Sequence, residues 1–335
     1  MNDRLNIWLE NKKEVDGLNA SNAGTGVTFG MNITSDMTEE EFLEMQGFGA
    51  PNKPNNSDSS DSSSNGTGGG SRRLQQDLSI DWRAQNKVHE VKNQGSCGSC
   101  WAFAAATVQE SMQAIKNDAP VVRLSEQEGV DCDQRSYGCS GGWMSYYWQM
   151  SAEIGSSSNE AYTYEATDGA CRNQQGKTIV SRAKENSIKK IHYSDMREQL
   201  QQGPLSIAVA AGNSCWRYYE SGILSEENNC PTGLDHGVAI VGLNDTGDKP
   251  YWIIQNSWGK HWGNEGFIWI AVEEGDGTSA MNTHVEAMDV EEGYPDPDGD
   301  DEEEKDNDDQ CNVDELQNYG MCSEDSECRG NRHCS

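Results

Sequence analysis

The sequence predicts an α+β protein of two lobes, because helix-forming segments precede strand-forming segments within residues 78–288. Residues 101–116 contain many alanines and neither glycine nor proline, and Val108, Met112 and Ile115 recur at helical spacing. Helices followed by strands within one domain are typical of the α+β class. Four later segments are short, β-branched or aromatic and bounded by turn-forming residues, which predicts strands at 205–211, 236–243, 251–255 and 267–272.

Two compositional breaks divide the 335-residue chain. Residues 52–77 are rich in Ser, Asn and Gly, a composition that is typical of a flexible linker. Residues 289–310 are dominated by Asp and Glu. Because such a run repels itself and buries no apolar area, we expect an acidic disordered linker there. The breaks leave three segments to interpret: 1–51, 78–288 and a cysteine-containing tail at 311–335.

The composition argues against two classes of partner. The formal net charge is −31, whereas nucleic-acid binding needs a clustered positive surface, so we expect no nucleic-acid partner. No apolar run approaches the roughly 18 residues that span a bilayer, so we expect no membrane partner. Eleven cysteines and several Asn-x-Ser/Thr sequons indicate a glycoprotein of the oxidising secretory route. No signal peptide is visible at Met1, and we expect one to be missing from this chain.

The most specific local feature is 93-NQGSCGSCWAFAAA-106, which places Cys100 at the start of the predicted helix. Unpaired N–H groups at a helix N-terminus favour a thiolate over a thiol. Three interpretations remain open: two ordinary disulfide cysteines, a CxxC redox pair, or a Cys100 nucleophile beside a structural Cys97. Residues 78–288 contain seven cysteines, which allows three bridges and the one free thiol that a nucleophile needs.

A cysteine nucleophile needs a base, and the base needs a group that orients it. His236 opens a predicted strand, and Asn256 ends the next one. If these strands are adjacent and antiparallel, the Asn256 carbonyl would accept one His236 N–H and leave the other nitrogen to face Cys100. A histidine at the start of a buried strand also fits a purely structural role.

Four motifs, taken in order, resemble those of the papain-like cysteine peptidases, the family that includes the cathepsins. They are 93-NQGSCGSCW-101, 139-CSGGW-143, 235-DHGVAIVG-242 and 255-QNSWGKHWGNEG-266. The resemblance spans about 78–288 and implies a papain-like two-lobed fold. The left lobe would be helical with the catalytic cysteine at a helix N-terminus, and the right lobe would be an antiparallel, barrel-like sheet.

The resemblance implies a role for each matching residue. Cys100 is similar to the family's nucleophile, His236 to its base and Asn256 to the residue that orients the base. Gln94 is similar to the oxyanion-hole donor, which works with the backbone N–H of Cys100 to stabilise negative charge. Trp258 is similar to the indole that shields the His–Asn hydrogen bond and borders the substrate.

Substrate-binding residues and disulfides are also implied by the resemblance. The pair Gly141–Gly142 is similar to the stretch that hydrogen-bonds the substrate backbone, where a side chain would block the approach. Glu286 is expected at the floor of the pocket for the residue two before the cut, which would then accept Arg as well as apolar residues. A surface glutamate is the alternative. The implied bridges are Cys97–Cys139, Cys132–Cys171 and Cys215–Cys230.

The front of the chain resembles the inhibitory propeptide of this family. The segment 30-GMNITSD-36 is similar to one propeptide motif. The residues that match the long helix motif are Arg4, Ile7, Trp8, Asn11, Val15 and Asn19. We therefore expect 1–51 to be a partial propeptide, with maturation inside 52–77 and a mature enzyme that starts near Leu78.

The resulting prediction is a zymogen of a cysteine endopeptidase that is activated by propeptide removal at acidic pH. No cofactor and no metal are expected. The expected partners are protein or peptide substrates, the chain's own propeptide and cystatin-like inhibitors, and we expect a monomer in a lysosome or vacuole or outside the cell. Two rivals remain: a binding protein built on an inactive peptidase, and a thiol–disulfide oxidoreductase that uses Cys97 and Cys100.

Overall fold

The computed structural model describes residues 2–49, 77–172 and 176–294. The predicted linker up to residue 76, the acidic segment beyond 294 and the tail 311–335 lie outside the described residues. None of the described helices is both long enough and apolar enough to cross a membrane.

The α-helices are α1 (Asn2–Ser21), α2 (Glu39–Leu43), α3 (Cys100–Lys116), α4 (Glu126–Cys132), α5 (Met144–Ile154), α6 (Met196–Leu200) and α7 (Ser214–Arg217). The strands are β1 (Thr28–Phe29), β2 (Ile80–Asp81), β3 (Lys189–Lys190), β4 (Leu205–Val209), β5 (Tyr219–Ser221), β6 (Ile223–Leu224), β7 (His236–Asn244), β8 (Tyr251–Gln255), β9 (Phe267–Ala271) and β10 (Val285–Ala287). Single 3₁₀ turns lie at Gly138–Ser140, Glu185–Ser187, Tyr193–Asp195, Glu226–Asn228 and Thr278–Ala280. Within 78–288, the helices α3, α4 and α5 precede the four longest strands, as the sequence pattern predicts, although short strands and helices also occur outside this order. The α+β class is confirmed.

Helix α3 is the centre of the helical lobe. It begins one residue earlier than predicted, at Cys100, and its alanine-rich first half is buried. Small side chains let α5 approach closely, and the indole Nε1 of Trp148 donates to the carbonyl of Ala105 at 3.0 Å. The packing of α3 therefore fixes the helix N-terminus from which Cys100 projects.

The second lobe is an eight-stranded sheet in which the neighbour order is β3-β10-β4-β7-β8-β9-β6, with β2 also paired to β7. The pairs along this path are antiparallel except β6 with β9. Because the described pairings form an open path, the expected barrel-like closure is not confirmed. The four predicted strands correspond to β4, β7, β8 and β9, with ends that shift by at most two residues.

Strand β7 packs directly on α3 at Gly237. A Cβ atom at this position would lie 3.4 Å from the backbone of Trp101 and 3.2 Å from the sulfur of Met144. Glycine thus allows the strand to approach the helix closely. As a result, His236 at the start of β7 lies beside Cys100 at the start of α3.

The N-terminal segment folds against the same lobe. Strand β1 pairs with β5 in a separate two-stranded sheet. The predicted motif residues hold the segment together: Arg4 donates to both carboxylate oxygens of Glu41, and Asn11 donates to the carbonyl of Ser35 at 2.9 Å. Asn19 donates to the carbonyl of Phe29 at 2.8 Å and accepts from its N–H.

Three disulfides join the pairs that the resemblance implied, Cys97–Cys139, Cys132–Cys171 and Cys215–Cys230. Within the described part of the chain, Cys100 is the free cysteine.

The domain extends further than the predicted boundary at 288. Val290 is fully buried and forms a bridge with Ala183, and Lys116 contacts both Asp289 and the carbonyl of Val290. The expected linker starting at 289 is therefore corrected for 289–294, because a buried valine and a paired carboxylate hold these residues on the domain.

Candidate active site

Cys100, His236 and Asn256 lie together at the junction of the two lobes. The Cys100 thiol is fully buried, and the N–H of Gly237 donates to its sulfur at 3.3 Å. The His236 Nε2–H donates to Asn256 Oδ1 at 2.8 Å. Within the described residues, His236 Nδ1 is buried and has no hydrogen-bond partner. The ring is thus fixed at one nitrogen, and the other is available to the neighbouring thiol.

Strand pairing explains why these side chains meet. Antiparallel β7 and β8 place Ala239 opposite Gln255, so Asn256, just after β8, lies level with the start of β7. The orientation of the Asn256 side chain is fixed because its Oδ1 also accepts the N–H of Ser257 at 2.8 Å. Trp258 is fully buried, and its ring centroid lies 4.8 Å from that of His236. The indole therefore excludes water from the His–Asn hydrogen bond.

Gln94 directs its amide N–H groups into the cleft. Its Oε1 accepts from the hydroxyl of Ser257 at 2.6 Å, which fixes the amide orientation. Its Nε2 donates to the carbonyls of Cys97 at 2.9 Å and Met45 at 2.7 Å. A carbonyl oxygen of the N-terminal segment thus binds the group that could stabilise an oxyanion.

The N-terminal segment also occupies the backbone groups of Gly142. The Gly142 N–H donates to the carbonyl of Gly47 at 3.0 Å, and its carbonyl accepts from the N–H of Gly49 at 2.9 Å. Phe48, between them, forms a parallel bridge with Gly142. A Cβ at Gly142 would lie 2.6 Å from the indole of Trp101, so glycine is required there. Gly141, at φ 121°, is in the conformation that favours glycine.

Burial shifts the pKa values of both Cys100 and His236. Burial raises the pKa of the Cys100 thiol to about 12, against N–H donation from Gly237 and Gly47. Burial also lowers the pKa of His236 to about 4, although the hydrogen bond that the ring donates to Asn256 acts in the opposite direction. Burial raises the pKa of Asp235 to about 6 despite N–H donation from Ala211 and Gly212. The pKa shifts of Cys100 and His236 favour the neutral thiol and the neutral imidazole.

Comparison with known proteins adds an independent observation. The sequence pattern described as "Papain family cysteine protease" matches residues 77–288. The chain belongs to the papain family. A second pattern, "Cathepsin propeptide inhibitor domain (I29)", matches residues 1–42.

Curated relatives and solved structures agree with this assignment. Rat procathepsin L is 35% identical over 277 residues, which cover 80% of each chain. Human cathepsin L2 is 35% identical over 288 residues, which cover 81% of each chain. The recombinant stem bromelain precursor is 31% identical with a TM-score of 0.71, covering 86% of this chain and 91% of that one. This papain-family chain is a cysteine endopeptidase zymogen, and its propeptide is an intramolecular inhibitor.

The pocket beside Gly142 includes His284, a residue that the sequence analysis did not place there. The propeptide ring of Phe48 makes edge contacts with Trp143 at 4.8 Å and with His284 at 5.0 Å between centroids. Glu286 is 4% exposed and lies behind His284, with its Oε1 3.3 Å from His284 Nε2. The sequence singled out Glu286 and missed His284, although residues two apart on a strand share a face.

Across 2–49, 77–172 and 176–294, no group of three or more His, Cys, Asp or Glu side chains is arranged to hold a metal ion.

Proposed function

We propose that Cys100 is the nucleophile of this endopeptidase, that His236 is its acid–base partner and that Asn256 orients His236. The observation that supports this most directly is the 2.8 Å hydrogen bond from His236 to Asn256 beside a free thiol at a helix N-terminus. Such an N-terminus favours the thiolate once the cleft is open to water.

The reaction then proceeds in two stages. The thiolate of Cys100 attacks the scissile carbonyl carbon, and the carbonyl electron pair moves to oxygen, where Gln94 Nε2 and the Cys100 N–H stabilise the charge. As the C–N bond breaks, the His236 imidazolium gives its proton to the leaving amine, and a thioester remains. His236 then takes a proton from water, the hydroxide attacks the thioester, and the acid and free Cys100 are released.

The substrate would lie across Gly141–Gly142 as an added strand. The side chain of its residue two before the cut would occupy the pocket that Phe48 now fills. Aromatic walls favour apolar residues there. The carboxylate of Glu286 behind His284 supports acceptance of Arg as well.

Propeptide release would follow acidification, and Glu14, Asp36 and Glu39 are the propeptide carboxylates that we propose take part in it. Glu14 accepts from the hydroxyl of Ser214 across the interface between propeptide and peptidase domain. We extend the proposal to a monomeric glycoprotein of the lysosome, vacuole or extracellular space that cystatin-like inhibitors bind, and to a mature chain that starts near Leu78.

The test is active-site labelling during maturation. The purified zymogen is acidified to about pH 4.5, treated with a biotinylated epoxide inhibitor and mapped by mass spectrometry, with Cys100→Ser as the matched control. We expect label on Cys100 alone, in a product that begins near Leu78. A folded, processed chain without label would favour a binding protein built on an inactive peptidase. Reduction of insulin that depends on Cys97 would favour an oxidoreductase, although Cys97 is bridged to Cys139.

A further inference from the structure

Arg217 is a buried cation that the reaction described above does not use. It ends helix α7 of the peptidase domain and is 6% exposed. Its Nη2 donates to the carbonyls of Thr34 at 3.0 Å and Met37 at 2.6 Å. Both acceptors belong to the propeptide, and within the described residues the Arg217 Nε has no partner. Propeptide release therefore leaves this guanidinium without those acceptors.

Arg217 lies on the leaving-group side of the cleft. Phe48 and Gly142 mark the side that binds residues before the cut, and the Gly47 N–H faces the sulfur of Cys100. The propeptide continues past the sulfur in the other direction to Phe42. The ring of Phe42 lies 5.4 Å from that of Trp258 and 5.0 Å below the Arg217 guanidinium.

The distance along the propeptide gives the substrate position. Between Gly47 and Phe42 the chain is partly extended and partly helical, as α2 ends at Leu43. A rise of about 3.3 Å for each extended residue and about 1.5 Å for each helical residue gives a path of about 11 Å from Gly47 to Phe42. This path is as long as about three extended residues of a substrate. A substrate chain would thus bring its second or third residue after the cut to Arg217.

The surroundings of Arg217 are complementary to a carboxylate. A cavity of about 330 Å³ separates the propeptide from the peptidase domain here. Its acidic lining side chains, Glu10, Glu14 and Glu39, all come from the propeptide. The peptidase domain contributes Gly212, Asn213, Ser214 and Arg217, of which only Arg217 is charged. Asp235, a peptidase carboxylate beside Gly212, is already bound by the N–H groups of Ala211 and Gly212.

We propose that Arg217 is a specificity-determining residue that selects substrates with Asp or Glu at the second or third position after the cut. In the zymogen, the propeptide carbonyls occupy this cation, and in the mature enzyme a substrate carboxylate replaces them. Arg suits this role because its planar guanidinium binds a carboxylate through two parallel hydrogen bonds. The inference rests on the proposed peptidase function and names its substrate class.

The test uses the mature enzyme and quenched fluorescent peptides that differ only in Glu, Gln or Lys at those two positions. We expect wild-type kcat/KM to favour Glu over Gln by about 3- to 10-fold, as for a charge-assisted contact that is partly open to water. Arg217→Gln should bring the ratio close to 1, and Arg217→Lys should retain part of it. The matched control is Arg197→Gln, an arginine that pairs with Asp245 away from the cleft, and it should keep the full ratio.

A peptide with a coumarin leaving group and no residues after the cut separates the two proposals. Arg217→Gln should cleave it as the wild type does. If the wild type fails to cleave this peptide, the peptidase function itself is refuted. If the wild type cleaves it but shows no preference for Glu over Gln, the role of Arg217 alone is refuted.

A measurement on the wild type covers the case in which Arg217→Gln fails to fold, since Arg217 holds the propeptide. Raising NaCl from about 0.05 M to about 1 M shortens the Debye length from over 10 Å to about 3 Å. The preference for Glu should then fall towards 1, while the rate of coumarin-peptide cleavage at each salt concentration corrects for any general effect of salt on the wild type. A preference that does not respond to salt would overturn the role of the Arg217 charge.

Discussion

Replacement of Phe42 by alanine should open the cleft of the zymogen without altering the peptidase domain. Phe42 is 2% exposed and packs its ring edge-on against Trp258 at 5.4 Å and beneath the Arg217 guanidinium at 5.0 Å. Truncation of a buried phenylalanine costs about 3–5 kcal/mol. Part of this burial comes from the propeptide itself, so we assign about 2–3 kcal/mol to the interface, which corresponds to about 30- to 140-fold more open zymogen.

The assay is the rate at which an epoxide inhibitor labels Cys100 in the unprocessed zymogen at neutral pH, followed by intact mass. Labelling requires an open cleft, so its rate follows the open fraction. Leu43 is the matched control, because it is the next residue of the same helix and is 43% exposed. Leu43→Ala should label within about threefold of the wild type. The reasoning is refuted if folded Phe42→Ala labels at the wild-type rate, or if Leu43→Ala accelerates labelling equally.

Three further predictions concern the peptidase domain. Lys92 is buried, with its Nζ 2.5 Å from Glu110 and 2.6 Å from Glu126. Urea unfolding at pH 7 should show that Lys92→Met lowers the free energy of unfolding by about 3–5 kcal/mol, because the substitution leaves buried carboxylates without their cation. This loss of unfolding free energy should be smaller in acid, because burial raises the pKa of Glu110 and protonation removes the unpaired charge of its carboxylate. An equal loss at pH 7 and in acid would contradict this reasoning. Asn256→Ala should lower kcat by about 10- to 100-fold and change its pH profile, because the histidine ring is no longer oriented; an unchanged profile would exclude the positioning role. Glu286→Gln should reduce cleavage of Arg-Arg relative to Phe-Arg peptides, and a wild type that cleaves no Arg-Arg peptide would disprove the role of this carboxylate.

Much of the fold follows from local patterns. The alanine-rich run with helical periodicity predicts α3 to within one residue, and the apolar segments bounded by turn residues predict β4, β7, β8 and β9. These patterns succeed because periodicity and turn chemistry are properties of the segments themselves. The proximity of His236 and Asn256 was also predictable, since consecutive strands with a short connection usually pair antiparallel.

The remaining features depend on tertiary packing. His284 becomes a pocket wall only because β10 pairs with β4, which brings a distant part of the chain against Trp143. The position of Arg217 in the cleft could not be predicted, because it is revealed by contacts with a propeptide that lies more than 170 residues earlier in the sequence. Val290 looks like part of an acidic run, yet its side chain is fully buried against the domain. Composition averages over such a segment and does not detect a single apolar anchor.

The propeptide suppresses the chemistry by burial as well as by obstruction. Its backbone occupies hydrogen-bonding groups of Gly142 and Gln94, where the proposed mechanism places the substrate. Burial also holds the pKa of Cys100 at about 12 and that of His236 at about 4, so the proton stays on sulfur. Transfer of that proton to the imidazole becomes favourable only when the ring's pKa exceeds that of the thiol. Because burial is the leading cause of both shifts, rehydration moves each pKa in the direction that favours transfer. In the proposed mechanism, release of the propeptide would therefore generate the thiolate as well as expose it.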